Sequence, residues 1–372
     1  MTEGPSAAAL IGSLPVSRPF IAPEELAVRA GHSTLLRLGA NESAFGPAPA
    51  AVAAMRDDLA RVAWYGDPES MKLREEVAAR HDCAVENIVV GAGIDDLLGL
   101  AVRGYLSPGE ASVCALGTYP TYAYHVTGYG GRLETVPYDD DGKVPLEKLA
   151  RTAHQRGARI VYLANPDNPS GSFAARPALE AFLEELPAHT LLVLDEAYAD
   201  FVDPRELLPA PINPRVVRMR TFSKAYGLAG LRVAYALAAP ETIATFGKIR
   251  LQYGVSRIAQ TAALASLAEP GFVAGVVREV ARGREEYHAF GRELGLATLP
   301  SSANFVNFDI GTRERAEGLV AALLARAVFV RKPGAAPLDR FVRVTVGTAE
   351  ERAQFGVALA AALEDVGAKA PA

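Results

Sequence analysis

An α/β fold built on a mostly parallel sheet, followed by a smaller α+β lobe, is predicted by three features of the sequence. Between residues 86 and 238 there are seven short β-type runs, most of them continuously apolar and β-branched. Helix-like segments at 95–106, 145–156 and 176–186 separate several of these runs. After about residue 296 the pattern changes to strand, helix, two strands and helix. Unbroken apolar runs suit strands covered on both faces, and their alternation with helices suits a parallel sheet.

The first 50 residues are rich in Pro and Gly and read as an arm and loop that can pack on the later lobe. The seven runs are "NIVVGAG", "ASVCAL", "RLETVPY", "RIVYLANP", "TLLVLDEAY", "VVRMRTFS" and "RVAYALA". The segment 240–295 reads as long helix with a break at Pro270-Gly271. A strand ("SSANFVNFDI"), a helix at 312–326, two strands ("AVFVRK" and "RFVRVTVG") and a helix at 349–366 complete the chain. The expected organisation is a large domain over 51–270 and a small domain over 271–372, with residues 1–50 forming an arm and part of the small domain.

Composition narrows the function classes. The net charge is −5 and basic residues are scattered, so nucleic acid is not an expected partner. No apolar run approaches the roughly 18–20 residues that cross a bilayer. The start, "MTEGPSAAALIGSLPV", lacks the positive region of a secretory signal. Cys83 and Cys114 form neither a CxxC pair nor a disulfide framework, and a cytoplasmic location is expected. No metal is expected.

Four strand ends carry polar residues that packing does not require. In open α/β sheets, ligands bind beyond the carboxyl ends of strands. Asp195 ends "TLLVL", and a carboxylate after a buried strand needs a partner. "NPDNPSG" (165–171) follows "RIVYLA" and reads equally as a turn. "GAGIDD" (91–96) opens a helix whose N–H groups suit a phosphate, yet it departs from GxGxxG at Asp96. "TFSK" brings Lys224, one of only seven lysines, to a position with no polar face to lie on. An amine held out of water is available as a nucleophile toward carbonyl carbons. Amine, carboxylate, phenol, carboxamide, phosphate cradle and arginine together are the set that pyridoxal phosphate needs.

The chain resembles the fold-type I, pyridoxal-phosphate-dependent aminotransferases, most nearly the histidinol-phosphate aminotransferase family. The motifs run in that family's order: "LRLGANESAFGPAP" (36–49), "RTFSKAYGLAGLRVAY" (220–235) and "RFVRVTVGT" (340–348). The resemblance implies the pyridoxal-phosphate transferase fold of type I, with a seven-stranded, mostly parallel sheet in the large domain. By position, Lys224 resembles the lysine that binds the cofactor, and Asp195 the partner of its ring nitrogen. Tyr198 and Asn168 match the groups at its ring hydroxyl. Gly93, Ile94, Asp95, Thr221, Ser223 and Arg232 match its phosphate pocket, and Tyr122 the residue stacked on the ring. Tyr65 matches a tyrosine that reaches the neighbouring subunit's phosphate, which implies a homodimer with shared active sites. Arg343 matches the arginine that grips the substrate anion. Arg331, Phe20 and Asn41 fall on the substrate side, and His125 is placed behind Asp195.

Several positions depart from that family. Pro19-Phe20 replaces the usual Pro-Tyr, and Gln252-Tyr253-Gly254-Val255 replaces Pro-Tyr-Asn-Val. "GAGIDD" lacks the usual serine, and His125 stands where tyrosine is more frequent. Loss of a hydroxyl and a carboxamide favours a free apolar or aromatic amino acid over L-histidinol phosphate as amino donor. The acceptor that the resemblance implies is a 2-oxo acid such as 2-oxoglutarate. A decarboxylase or racemase on the same fold would use the same Lys224 and Asp195. A non-catalytic binding protein would have no need of lysine, aspartate and arginine together.

Overall fold

The computed structural model describes residues 4–16, 20–209 and 213–367. All seven expected runs form one sheet. In spatial order its strands are Ile88–Gly91, Ala234–Leu237, Val216–Thr221, Leu191–Asp195, Ile160–Ala164, Ala111–Ala115 and Arg132–Val136. Ala234–Leu237 runs antiparallel to both neighbours, and every other pairing is parallel. The central strands are buried along their whole length, because helices cover both faces. Helix Ile94–Tyr105 packs on one face, where Leu97, Leu98 and Ala101 meet Tyr162, Val193 and Met219. Helices Leu146–Arg156 and Arg176–Glu185 cover the other, where Leu149 and Phe182 meet Val161 and Leu192.

The segment 240–295 differs from the expectation. It forms three helices, Pro240–Gly247, Arg257–Leu267 and Pro270–Glu293. Ser256 caps the second by accepting from the Ala259 N–H at 3.2 Å. Pro270 occupies the first turn of the third, where its missing N–H costs nothing, so it starts a helix instead of merely breaking one.

A second sheet pairs Phe305–Asp309 antiparallel with Phe341–Thr345 and with Thr298–Leu299, the last a strand that the sequence pattern does not reveal. Helices Pro270–Glu293, Arg313–Ala325 and Ala349–Asp365 pack around it through Tyr287, Phe308, Leu319 and Phe355. Thr348 and Glu351 form a reciprocal capping box at the start of the last helix. Leu36–Arg37 pairs parallel with Val328–Phe329 as a separate two-stranded sheet, which fastens the early chain to the second lobe. Among the described residues no helix is long and apolar enough to cross a membrane.

Candidate active site

The carboxyl ends of the parallel strands open into a cavity of about 830 Å³. The second sheet and the segments around Phe20 and Asn41 close its other side. Asp195 lies at the end of its strand, in register with Ala164 on one side and Met219 on the other. It is 4% exposed, and among the described residues no cation lies within ion-pair distance. The Ala197 N–H donates to its Oδ1 at 3.0 Å, and the Tyr162 hydroxyl donates to Oδ2 at 2.8 Å. Burial pushes its carboxyl up to about 6, against the pull of those two donors.

Lys224 is partly buried, and its Nζ donates to the Asn41 carbonyl at 3.1 Å. Loss of water, followed by the nearby Arg343 charge, lowers its amine to about 8. The loop that carries it passes close to the early chain. A Cβ on Gly227, whose φ is +69°, would stand 2.1 Å from the Gly46 carbonyl oxygen. Asn41 is a junction: its Nδ2 donates to the Tyr198 hydroxyl at 2.9 Å, and its backbone N–H donates to Thr345 Oγ1 at 3.0 Å. Asn41 itself sits at φ +54°, in the left-handed region that asparagine tolerates.

A cradle for an anion forms where helix Ile94–Tyr105 begins. The first-turn N–H groups at Ile94 and Asp95 have no partner within the helix. Thr221 and Ser223 hydroxyls are bonded at 2.9 Å, and Arg232 reaches toward Ser223 Oγ at 3.4 Å and Asp95 Oδ2 at 3.3 Å. Arg232 has φ +53°, a strained backbone that is kept at functional sites. Gly93 has φ +86°, and a Cβ there would stand 2.3 Å from the Arg232 Nη2. Only glycine leaves the guanidinium its place.

The far wall carries two arginines side by side. Arg331 and Arg343 form an antiparallel bridge, with Arg343 N–H to Arg331 O at 2.6 Å. Directly opposed residues of an antiparallel pair project to the same side. Arg331 is held between the rings of Phe20 and Phe329, 5.0 and 5.4 Å from their centroids. Arg343 donates to Asn168 Oδ1 and lies 5.2 Å from the Phe305 ring, while its buried Nε has no partner among the described residues. Burial lowers Arg343 to about 10, and Arg331 pushes in the same direction. Neither is ion-paired to a carboxylate among the described residues.

Lys224, Asp195, Tyr198, Asn168, Ile94, Asp95, Thr221, Ser223, Arg232, Arg331, Arg343, Phe20 and Asn41 therefore all border one cavity. Two of the expected placements are corrected. Tyr122 is fully buried, stacked on Tyr162 at 4.5 Å and bonded to Ser112, with no face on the cavity. Tyr119 borders it instead, and its hydroxyl donates to Asp95 Oδ1 at 2.8 Å. The reason is local: Pro120 starts a helix, so Tyr119 sits at its mouth while Tyr122 faces the sheet. His125 does not stand behind Asp195. Its Nε2 bonds the Asp95 carbonyl at 2.8 Å, and Tyr162 holds the position expected for it. Tyr65 lies outside this cavity, 77% exposed, with its ring 4.5 Å from that of Tyr253. Gly254 also lies outside it, and Pro19 falls outside the described residues.

Comparison with known proteins points the same way. Residues 33–359 match the family described as aminotransferase class I and II. Histidinol-phosphate aminotransferase 2 of Carboxydothermus hydrogenoformans is 34% identical over 338 residues, covering 89% of this chain and 92% of that protein. The histidinol-phosphate aminotransferase of Symbiobacterium thermophilum is 37% identical, covering 91% and 94%. The crystal structure of the Sinorhizobium meliloti histidinol-phosphate aminotransferase, in complex with pyridoxal-5′-phosphate, superposes with a TM-score of 0.93. It is 42% identical, covering 97% of this chain and 98% of that one. With a buried carboxylate, an amine of lowered basicity and an anion cradle meeting in one cavity, the chain belongs to the class I and II aminotransferases.

Proposed function

We propose that this pyridoxal-phosphate-dependent aminotransferase takes L-histidinol phosphate as its amino donor and a 2-oxo acid as acceptor. The observation that carries the proposal is the pair Arg331 and Arg343, two guanidiniums on one wall with no carboxylate partner among the described residues. A single carboxylate needs one such group, whereas a phosphate dianion is matched by two. The departure at Phe20 does fall on this wall, where its ring lies 5.0 Å from the Arg331 guanidinium and leaves that charge in place. The names of the relatives support the same donor.

The cofactor fits the residues present. A carboxylate as buried as Asp195, without a cation, suits a protonated ring nitrogen, and the Gly93–Arg232 cradle suits a phosphate. Pyridoxal phosphate, when bound, supplies an aldehyde that exchanges amines and a ring that accepts electrons from the donor's α-carbon. Asp195 would hold the proton on the ring nitrogen. Tyr198, whose hydroxyl accepts from Asn41, keeps its own proton to donate to the ring oxygen, and Asn168 keeps its Nδ2. Tyr119 would lie against the ring. The first-turn N–H groups, Thr221, Ser223 and Arg232 would hold the phosphate. With its basicity lowered, the Lys224 amine takes and returns a proton near neutral pH. Comparing kcat/KM for L-histidinol phosphate with L-phenylalanine, L-leucine and L-histidine tests the donor. A preference of a hundredfold or more for histidinol phosphate is expected, and equal or greater rates with L-phenylalanine or L-leucine would refute it.

The same reading takes the protein as a homodimer in the cytoplasm, with 51–270 as the cofactor-binding domain. Support comes from an exposed apolar strip, Trp64, Tyr65, Leu251 and Tyr253, each more than half exposed. Contiguous surface of this kind marks an interface. In a dimer Tyr65 would reach the partner's phosphate cradle. Mixing Tyr65→Phe with Lys224→Ala then restores partial activity, since one of the two sites in a mixed dimer is intact. A fully active monomer in sedimentation would overturn this.

A further inference from the structure

We propose that Tyr162 is a positioning residue for Asp195, whose single hydrogen bond fixes the carboxylate's orientation and keeps it ionised beneath the cavity. The proposal rests on the reading that Asp195 addresses the cofactor's ring nitrogen. Asp195 has two direct donors, the Ala197 N–H on Oδ1 and the Tyr162 hydroxyl on Oδ2. The first comes from the backbone and cannot be varied by substitution. The second comes from the neighbouring strand, where Ala164 pairs with Asp195 and Tyr162 lies two residues earlier on the same face.

The phenol is locked in place. Tyr162 is 1% exposed, and its ring lies against Tyr122 at an interplanar angle of 15°. Tyr122 is tied in turn to Ser112, whose Oγ donates to the Ile160 carbonyl at 3.2 Å. Burial, then the charge of Asp195, holds the Tyr162 proton far above its usual range, so the hydroxyl is a donor at every working pH. The other groups that face Asp195 are Asp95, Lys224, Tyr119 and Tyr198. Asp95 pushes the carboxyl up and Lys224 pulls it down, but neither bonds to it directly. Against the burial that favours the neutral acid, the Tyr162 bond favours the anion. Without it the carboxyl would keep the proton that the ring nitrogen needs.

The test uses Tyr162→Phe, which keeps the stacked ring and removes only the hydroxyl. Tyr122→Phe is the control, because it removes a hydroxyl from the same stack with no bond to Asp195. In the full chain without cofactor, the Asp195 carboxyl is followed by infrared difference spectroscopy against pH. A bond to a charged group corresponds to about one to two pH units. We expect Tyr162→Phe to titrate that much higher than wild type, and Tyr122→Phe to match wild type. In the cofactor-loaded enzyme, Tyr162→Phe should shift the pH dependence of cofactor absorbance and lower kcat about tenfold with the donor's KM unchanged. Identical titration of Tyr162→Phe and wild type, or an equal shift in both variants, would overturn the proposal. A wild type inactive on histidinol phosphate would instead refute the substrate reading and leave the infrared result standing.

Discussion

Replacing Lys224 by alanine should lower turnover by about 10⁴-fold or more while the chain still folds. General acid–base catalysis alone contributes about 10²–10⁴-fold, and on the proposed function the variant also loses the amine that would join the cofactor. Among the described residues the side chain makes one hydrogen bond, to the Asn41 carbonyl, so its removal disturbs little else. Borohydride reduction followed by peptide mass analysis checks the assignment. Wild type should carry the reduced cofactor on Lys224, and the variant on no residue. A cofactor-labelled lysine in the variant would place the reacting amine elsewhere.

Asp195→Asn is expected to lower kcat by orders of magnitude, since a neutral amide cannot keep the ring nitrogen protonated. The same change should stabilise the cofactor-free chain at neutral pH. A carboxyl raised from 3.8 to about 6 on folding binds more protons folded than unfolded between those values. Stability therefore falls as pH rises through that window and stays reduced above it, by about 3 kcal/mol at most. Removing the carboxylate relieves this cost, so urea unfolding at pH 7.5 should show a more stable variant, with the difference shrinking toward pH 4. A less stable variant at pH 7.5 would mean that the buried carboxylate is better compensated than its two donors imply. An active site that costs stability is the usual result when charge is held out of water for chemistry.

The large sheet was legible because its strands are covered on both faces, so β-branched residues run unbroken and stand out from the helices between them. The strand-end side of the cavity was legible for a related reason. Polar residues at the ends of such strands have no packing role, and Asp195, Thr221 and Asn168 all border the cavity. The pattern around Tyr119 and Tyr122 could not be resolved in that way. Both are tyrosines within four residues, and the one that faces the cavity depends on where the helix begins; Pro120 was the available signal. Tyr162 was hidden for the opposite reason. In a strand buried on both faces a phenol counts as one more large apolar residue, and its bond to Asp195 exists only once two strands pair. The interruption at 248–256 was lost among helix-forming neighbours, although Ser256 is a cap by type.

The bridge between Arg331 and Arg343 holds their two backbones at a fixed separation, through hydrogen bonds in both directions. The guanidiniums beyond them are moored differently. Arg331 lies against Phe20 and Phe329, whereas Arg343 donates to Asn168, on a loop of the large sheet. One charge of the pair is thus tethered across the cavity to the sheet whose loop carries Lys224, and the other is not. Any shift of the second sheet against the first would strain the Asn168 tether first, so the two walls are laced together at the point where an anion would enter between them.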